Sequence, residues 1–126
     1  MATIDDLAAE KYILLTTYRR DGRAVPTPVW VVRDGDALAA WTPTDSGKAK
    51  RIRRSATVTI APCDVRGRPS GPAVPARASV GDRAALDRVR RELRRKYGLT
   101  ARLTLLGSRL RRGSSGTVAV RIVPSD

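Results

Sequence analysis

Between Tyr12 and Thr42, three β-rich runs are separated by two Asp-Gly pairs, Asp21-Gly22 and Asp34-Gly35. Asp-Gly readily takes up the positive-φ geometry of tight hairpin turns. Tyr12–Tyr18, Arg23–Val32 and Ala37–Thr42 therefore read as successive antiparallel strands. Thr57–Pro62 and Ala73–Val80 continue the pattern, the latter interrupted by Pro75, which cannot donate to a ladder. Thr117–Val123 closes it with Val118, Val120 and Ile122 alternating. Six or so short antiparallel strands predict a mainly β fold, a small barrel with peripheral helices.

The helical pattern is sparser. Thr3–Lys11 reads as a short amphipathic helix, and Ser46–Arg54 as a basic one with Ala49 and Ile52 inward. Asp82–Tyr97 carries an apolar stripe of Leu86, Val89, Leu93 and Tyr97, with Asp82 as N-cap and Gly98 as C-cap. Arg102–Arg112 is expected to be a weaker helical or irregular segment, and Gly113–Gly116 a flexible turn. At 126 residues, with no repeat or low-complexity tract, the chain is expected to be one domain spanning 1–126.

Composition removes whole classes of chemistry. There is no histidine, which excludes His-based triads, histidine general bases and nearly every zinc site. The single cysteine, Cys63, cannot form an internal disulfide and fits a reducing compartment. Without a base it reads as a small buried apolar residue. No apolar run approaches the length of a membrane span. The start of the chain, with Asp5, Asp6 and Glu10, lacks the basic-then-apolar order of a signal peptide. A soluble cytoplasmic protein is expected. The net charge of +13 points to a polyanionic partner, whether nucleic acid, an anionic membrane surface or a highly charged cofactor. A GC-rich genome would also produce part of the arginine bias.

One stretch concentrates that charge. Trp41-Thr42-Pro43-Thr44-Asp45-Ser46-Gly47 leads from a strand into a helix that carries Lys48, Lys50, Arg51, Arg53 and Arg54. Helix N–H groups and the dipole attract anions. Thr42, Thr44 and Ser46 add hydroxyls, and Lys48 and Arg51, three apart, share a face. Each hydrogen bond to a charged partner is worth about 1.5–3 kcal/mol, so several would hold a phosphate. The same pattern fits a solvated basic helix capped by Asp45 or Ser46. Pro26-Thr27-Pro28-Val29-Trp30 places two prolines on one face of a strand, which predicts a locally unpaired backbone. That backbone reads either as a wall for a ligand ring beside Trp30 or as an edge protected from aggregation. Arg88, Arg90, Arg91, Arg94, Arg95 and Lys96 form the largest basic patch, with Arg90 expected on its exposed face. A solvated or anion-steering surface fits it better than a nucleic-acid track, since no binding motif accompanies it.

Taken in order, these segments resemble a known family. Tyr12–Gly22, Pro26–Trp30, Ser46–Arg53, Ala61-Pro62-Cys63-Asp64-Val65-Arg66-Gly67 and Lys96-Tyr97-Gly98-Leu99 are similar to flavin/deazaflavin oxidoreductases. This is the split β-barrel superfamily that includes pyridoxamine 5′-phosphate oxidase, and the deazaflavin-dependent branch matches best. The resemblance implies a homodimeric split β-barrel with the cofactor at the dimer interface. The implied cofactor is coenzyme F-420, a deazaflavin with a phosphate and a polyglutamate tail, with FMN as the alternative. By position, Thr42, Ser46 and Lys48 match the phosphate-binding run, with Lys50 and Arg51 as further candidates. Thr27, Pro28 and Val29 match the strand against the ring system. The implied activity is hydride transfer between the deazaflavin and an unsaturated small organic substrate, which needs close positioning more than an acid–base residue. No catalytic residue is assigned; water, Tyr18 or a lysine would supply the proton. The alternative is an FMN-binding oxidoreductase or a flavin carrier without fast chemistry. A third reading, a basic nucleic-acid-binding module, rests on charge alone, and neither nucleic acid nor membrane is expected as a partner.

Overall fold

The computed structural model describes residues 3–112 and 116–125. Strands β1 (Tyr12–Tyr18) and β2 (Ala24–Val29) form a hairpin closed at Gly22, whose φ of 88° is one a side chain would resist. The chain then reaches β3 (Val32–Asp34), which turns at Gly35 into β4 (Ala37–Pro43). Helix α2 (Gly47–Arg54) leads into β5 (Thr57–Cys63) and β6 (Val74–Val80), and β7 (Thr117–Pro124) follows much later. All pairings are antiparallel, in one seven-stranded sheet of order β2-β1-β5-β6-β7-β4-β3. The two edge strands are consecutive in the chain, joined only through Trp30 and Val31. Such a join is possible only if the sheet rolls round until its edges approach. The fold is a split β-barrel with a few helices.

The expected strand Arg23–Val32 is thus two strands at opposite edges of the sheet, which makes seven strands rather than six. The cause lies in helix α3 (Arg83–Tyr97). Tyr97 Oη accepts from Val31 N (3.1 Å), and Lys96 Nζ donates to Val31 O (2.7 Å). Trp30 stacks on the Tyr97 ring, centroids 4.6 Å apart. The backbone groups that would continue the ladder are consumed by side chains at the crossing point. The paired prolines also behave differently from expectation. β2 pairs with β1 without interruption, Leu14 opposite Pro28 and Thr16 opposite Pro26. A ladder passes prolines only when their nitrogens face away from the partner, so the unpaired side of β2 is its outer edge. Pro75 likewise sits within the ladder, opposite Thr59.

Alternation sorts side chains into two cores. Ile13, Leu15, Val58, Ile60, Ala76, Val120 and Ile122 fill the barrel, and Ile52 of α2 joins them. Leu7 of the short helix α1 (Ile4–Ala8), which is capped by a Thr3–Asp6 capping box, packs there too. On the other face of β3, β4 and β7, Val32, Ala39 and Ala119 meet Leu86, Val89 and Leu93 of α3. Leu93 is wholly buried, so Leu93→Ala would cost about 2–5 kcal/mol. The segment expected to be weakly helical is a 14-residue helix, α4 (Leu99–Arg112), which starts directly after Gly98 and buries Ala101 and Leu105 against α3. The turn expected at Gly113–Gly116 lies outside the described residues except for Gly116. Among the described residues no helix is long and apolar enough to cross a membrane.

Candidate functional site

The start of α2 is built from β4 outward. Ser46 is its N-cap, and Ser46 Oγ accepts from Ala49 N (3.1 Å). Thr42, only 2% exposed, places its hydroxyl 3.0 Å from Ser46 Oγ. The cap is therefore held by a buried neighbour and oriented in advance. The N–H groups of Gly47 and Lys48 find no acceptor among the described residues. Arg51 folds back over this turn: a Cβ at Gly47 would lie 2.7 Å from Arg51 Nη1. Glycine thus leaves room for a guanidinium at the helix N-terminus.

Arg51 is fixed from the barrel side as well. Its Nε donates to Thr17 Oγ1 at 2.7 Å, and Thr17, on β1, is 1% exposed. Arg54 Nη2 donates to the Tyr18 carbonyl (2.5 Å), so two arginines tie α2 to the end of β1. Beside them the β1–β2 turn brings up Arg19, Arg20 and Arg23, and the six residues Arg19, Arg20, Asp21, Arg23, Arg51 and Arg54 line an open depression of about 360 Å³. Its one carboxylate, Asp21, is engaged by Arg23 at 2.8 Å. Burial, then the charges of Arg19 and Arg54, lower the pKa of Arg51. Burial, then Arg51, lowers that of Lys48. Two cations held down first by burial and then by neighbouring positive charge favour an anion beside them. Arg54 was counted among the cations of the basic helix, but Arg19, Arg20 and Arg23 were not singled out from sequence; the Arg19-Arg20 pair before an Asp-Gly turn was the available signal.

The structure brings Thr42, Ser46, Lys48 and Arg51 together at the start of α2. Lys50 is exposed and, at about 100° per residue, lies roughly 200° round the helix from Lys48. On that flank Arg53 donates to the Thr44 carbonyl (2.9 Å). Thr27 lies opposite Leu15, on the face that also carries Thr17, and is half-buried. Val29 enters the barrel core, and Pro28 packs near Gly67, where a Cβ would lie 3.5 Å from Pro28 Cδ. No hydrogen bond or ion pair among the described residues joins Thr27–Val29 to α2; the two groups share β1 as their common support.

The remaining candidates have structural duties. Cys63 is buried, and burial, then Asp64 and Glu10, raise its thiol pKa. On α3, Arg88 pairs with Asp34 (3.1 Å) and Arg95 with Glu92 (3.5 Å). Arg90, expected to be exposed, is half-buried and donates to the buried Thr117 hydroxyl at 3.0 Å. Lys96 spends its ammonium on the carbonyls of Ala8, Glu10 and Val31, and burial lowers its pKa.

This architecture is shared with solved structures. An F420 reductase is 18% identical with a TM-score of 0.59, covering 100% of this chain and 96% of its own. A conserved hypothetical protein from Mycobacterium tuberculosis is 22% identical with a TM-score of 0.71, covering 98% and 78%. The heme storage protein HutZ from Vibrio cholerae is 15% identical with a TM-score of 0.67, covering 94% and 84%. At such identities the likeness shows the fold. No curated protein matches. The sequence pattern of the pyridoxamine 5′-phosphate oxidase family matches residues 2–126. With the whole barrel covered by that match, the chain belongs to the pyridoxamine 5′-phosphate oxidase family.

Proposed function

We propose that this protein is an oxidoreductase that uses coenzyme F-420 and holds the cofactor's phosphate at the start of α2. The observation that carries the reading is the Arg51 guanidinium seated over Gly47, beside two N–H groups that find no acceptor among the described residues. That cradle, with Lys48 and the hydroxyls of Thr42 and Ser46, suits a phosphate. The arginines of the β1–β2 turn exceed what one phosphate needs and suit the added carboxylates of a polyglutamate tail. Thr27, Pro28 and Val29 form the candidate ring-side strand. Since the prolines lack N–H groups, that outer edge offers carbonyl acceptors, which complement a ring that donates.

When bound, such a deazaflavin supplies or takes up a hydride. The chain's own contribution is positioning: Thr17 aims Arg51, Thr42 aims Ser46, and β1 holds both groups of residues on one support. Positioning of this kind provides a large part of a hydride-transfer rate without an acid–base residue. The partner substrate is an unsaturated small organic molecule. A homodimer completes the cleft, in keeping with the open edge of β2.

The test is a titration of the purified protein with F-420 and with FMN, followed by fluorescence. Tighter binding of F-420, weakened by added salt as exposed cation–carboxylate contacts are screened, is the expected result. Equal or tighter binding of FMN would overturn the cofactor assignment.

A further inference from the structure

We infer, against the sequence expectation of no membrane partner, that α4 docks the protein on an anionic lipid surface. Leu99, Leu103 and Leu106 are 70%, 62% and 55% exposed, and their i, i+4, i+7 spacing sets them on one stripe of the helix. The stripe lies opposite the side that packs on α3, where Ala101 and Leu105 are buried. Residues 99–112 contain no acidic side chain. Arg94 and Arg102, with Arg90, Leu105 and Leu106, line a depression of about 290 Å³ where guanidiniums and leucines meet. Neither Arg94 nor Arg102 pairs with a carboxylate among the described residues.

Charge complementarity selects the occupant. A second copy seated through this stripe would set Arg94 and Arg102 of one protomer close to those of the other, with no acidic side chain in α4 to offset them. An anionic bilayer answers both features. Leucines enter the boundary between headgroups and acyl chains, while Arg94 and Arg102 beside them take lipid phosphates. This is attachment to a surface rather than a span, and it is independent of the cofactor site.

The experiment is flotation of the full chain with phosphatidylcholine vesicles and with vesicles that also contain phosphatidylglycerol. Binding to the anionic vesicles alone, weakened by salt, is expected. The triple variant Leu99→Ser/Leu103→Ser/Leu106→Ser, which touches only exposed side chains, should lower partitioning about tenfold or more. Arg94→Gln with Arg102→Gln should lower it about fivefold per arginine, while Arg77→Gln, an exposed side chain on β6, leaves it unchanged. No binding to anionic vesicles overturns the inference, as does equal binding by the leucine variant, which would leave only a diffuse field. A fall in solution mass in the leucine variant would assign the stripe to a second copy and overturn it too.

Discussion

Arg51→Ala separates a formed anion site from a general positive field. The substitution removes the Nε donor at 2.7 Å from Thr17 Oγ1 and leaves a hydroxyl that is 1% exposed without that partner. An unsatisfied buried group costs about 1–3 kcal/mol. Removing a cation crowded by Arg19 and Arg54 returns part of this, and water can enter the vacated space. The net stability loss should be about 1 kcal/mol, a shift of a few degrees in Tm. The effect on ligand is larger. One lost charge-assisted contact is worth about 1.5–3 kcal/mol, or roughly 10- to 150-fold in Kd for F-420. Arg51→Lys should keep part of the affinity while losing the same stability, because lysine restores the charge but not the donor that Thr17 orients. The proper control is Arg91→Ala, exposed on α3; Arg90 would mislead, since its removal strips Thr117 of a partner. Calorimetric melting gives the first quantity and fluorescence titration the second. Equal affinity losses in Arg51→Ala and Arg91→Ala, or no loss in either, would refute the formed site.

A C2 homodimer is expected by light scattering at micromolar concentration, since the small barrel leaves edges to cover; a monomer that binds F-420 normally would contradict it. Burial raises the pKa of Tyr97 from 10.0 to about 12, so between those pH values the unfolded chain has lost a proton that the folded chain keeps. Stability should therefore fall as pH rises through that window, and Tyr97→Phe, though less stable at neutral pH, should show a shallower fall in denaturant melts; parallel profiles would exclude the assignment. Cys63 should resist iodoacetamide at neutral pH and react only when denatured, because its thiol is buried with a raised pKa; rapid labelling of the folded protein would show otherwise.

The sequence was most legible where structure is decided locally. β1 runs Tyr12–Tyr18 as its β-rich composition required, and α3 begins after Asp82 and ends at Gly98, as its caps signalled. The N-cap at Ser46, and Ala49 and Ile52 facing inward, were equally readable. What stayed hidden was decided at a distance. Nothing between Arg23 and Val32 announces a break; Tyr97, far along the chain, imposes it by taking Val31's backbone. The grouping of Arg19, Arg20 and Arg23 with Arg51 and Arg54 needed the β1–β2 turn folded beside α2. Arg90's engagement depended on Thr117, which only the sheet order brings near.

That sheet order also governs how the molecule is born. β7 lies between β6 and β4, so Leu38–Pro43 can find hydrogen-bond partners on that side only after Thr117–Ile122 have left the ribosome. Without β7 the sheet falls into the four strands β2-β1-β5-β6 and the β4–β3 hairpin, each with a bare edge where β7 belongs. Insertion of β7 joins the two parts across the long sequence separations that slow such closures. A stalled or truncated nascent chain lacking this strand would present both edges at once, as a target for chaperones or for aggregation.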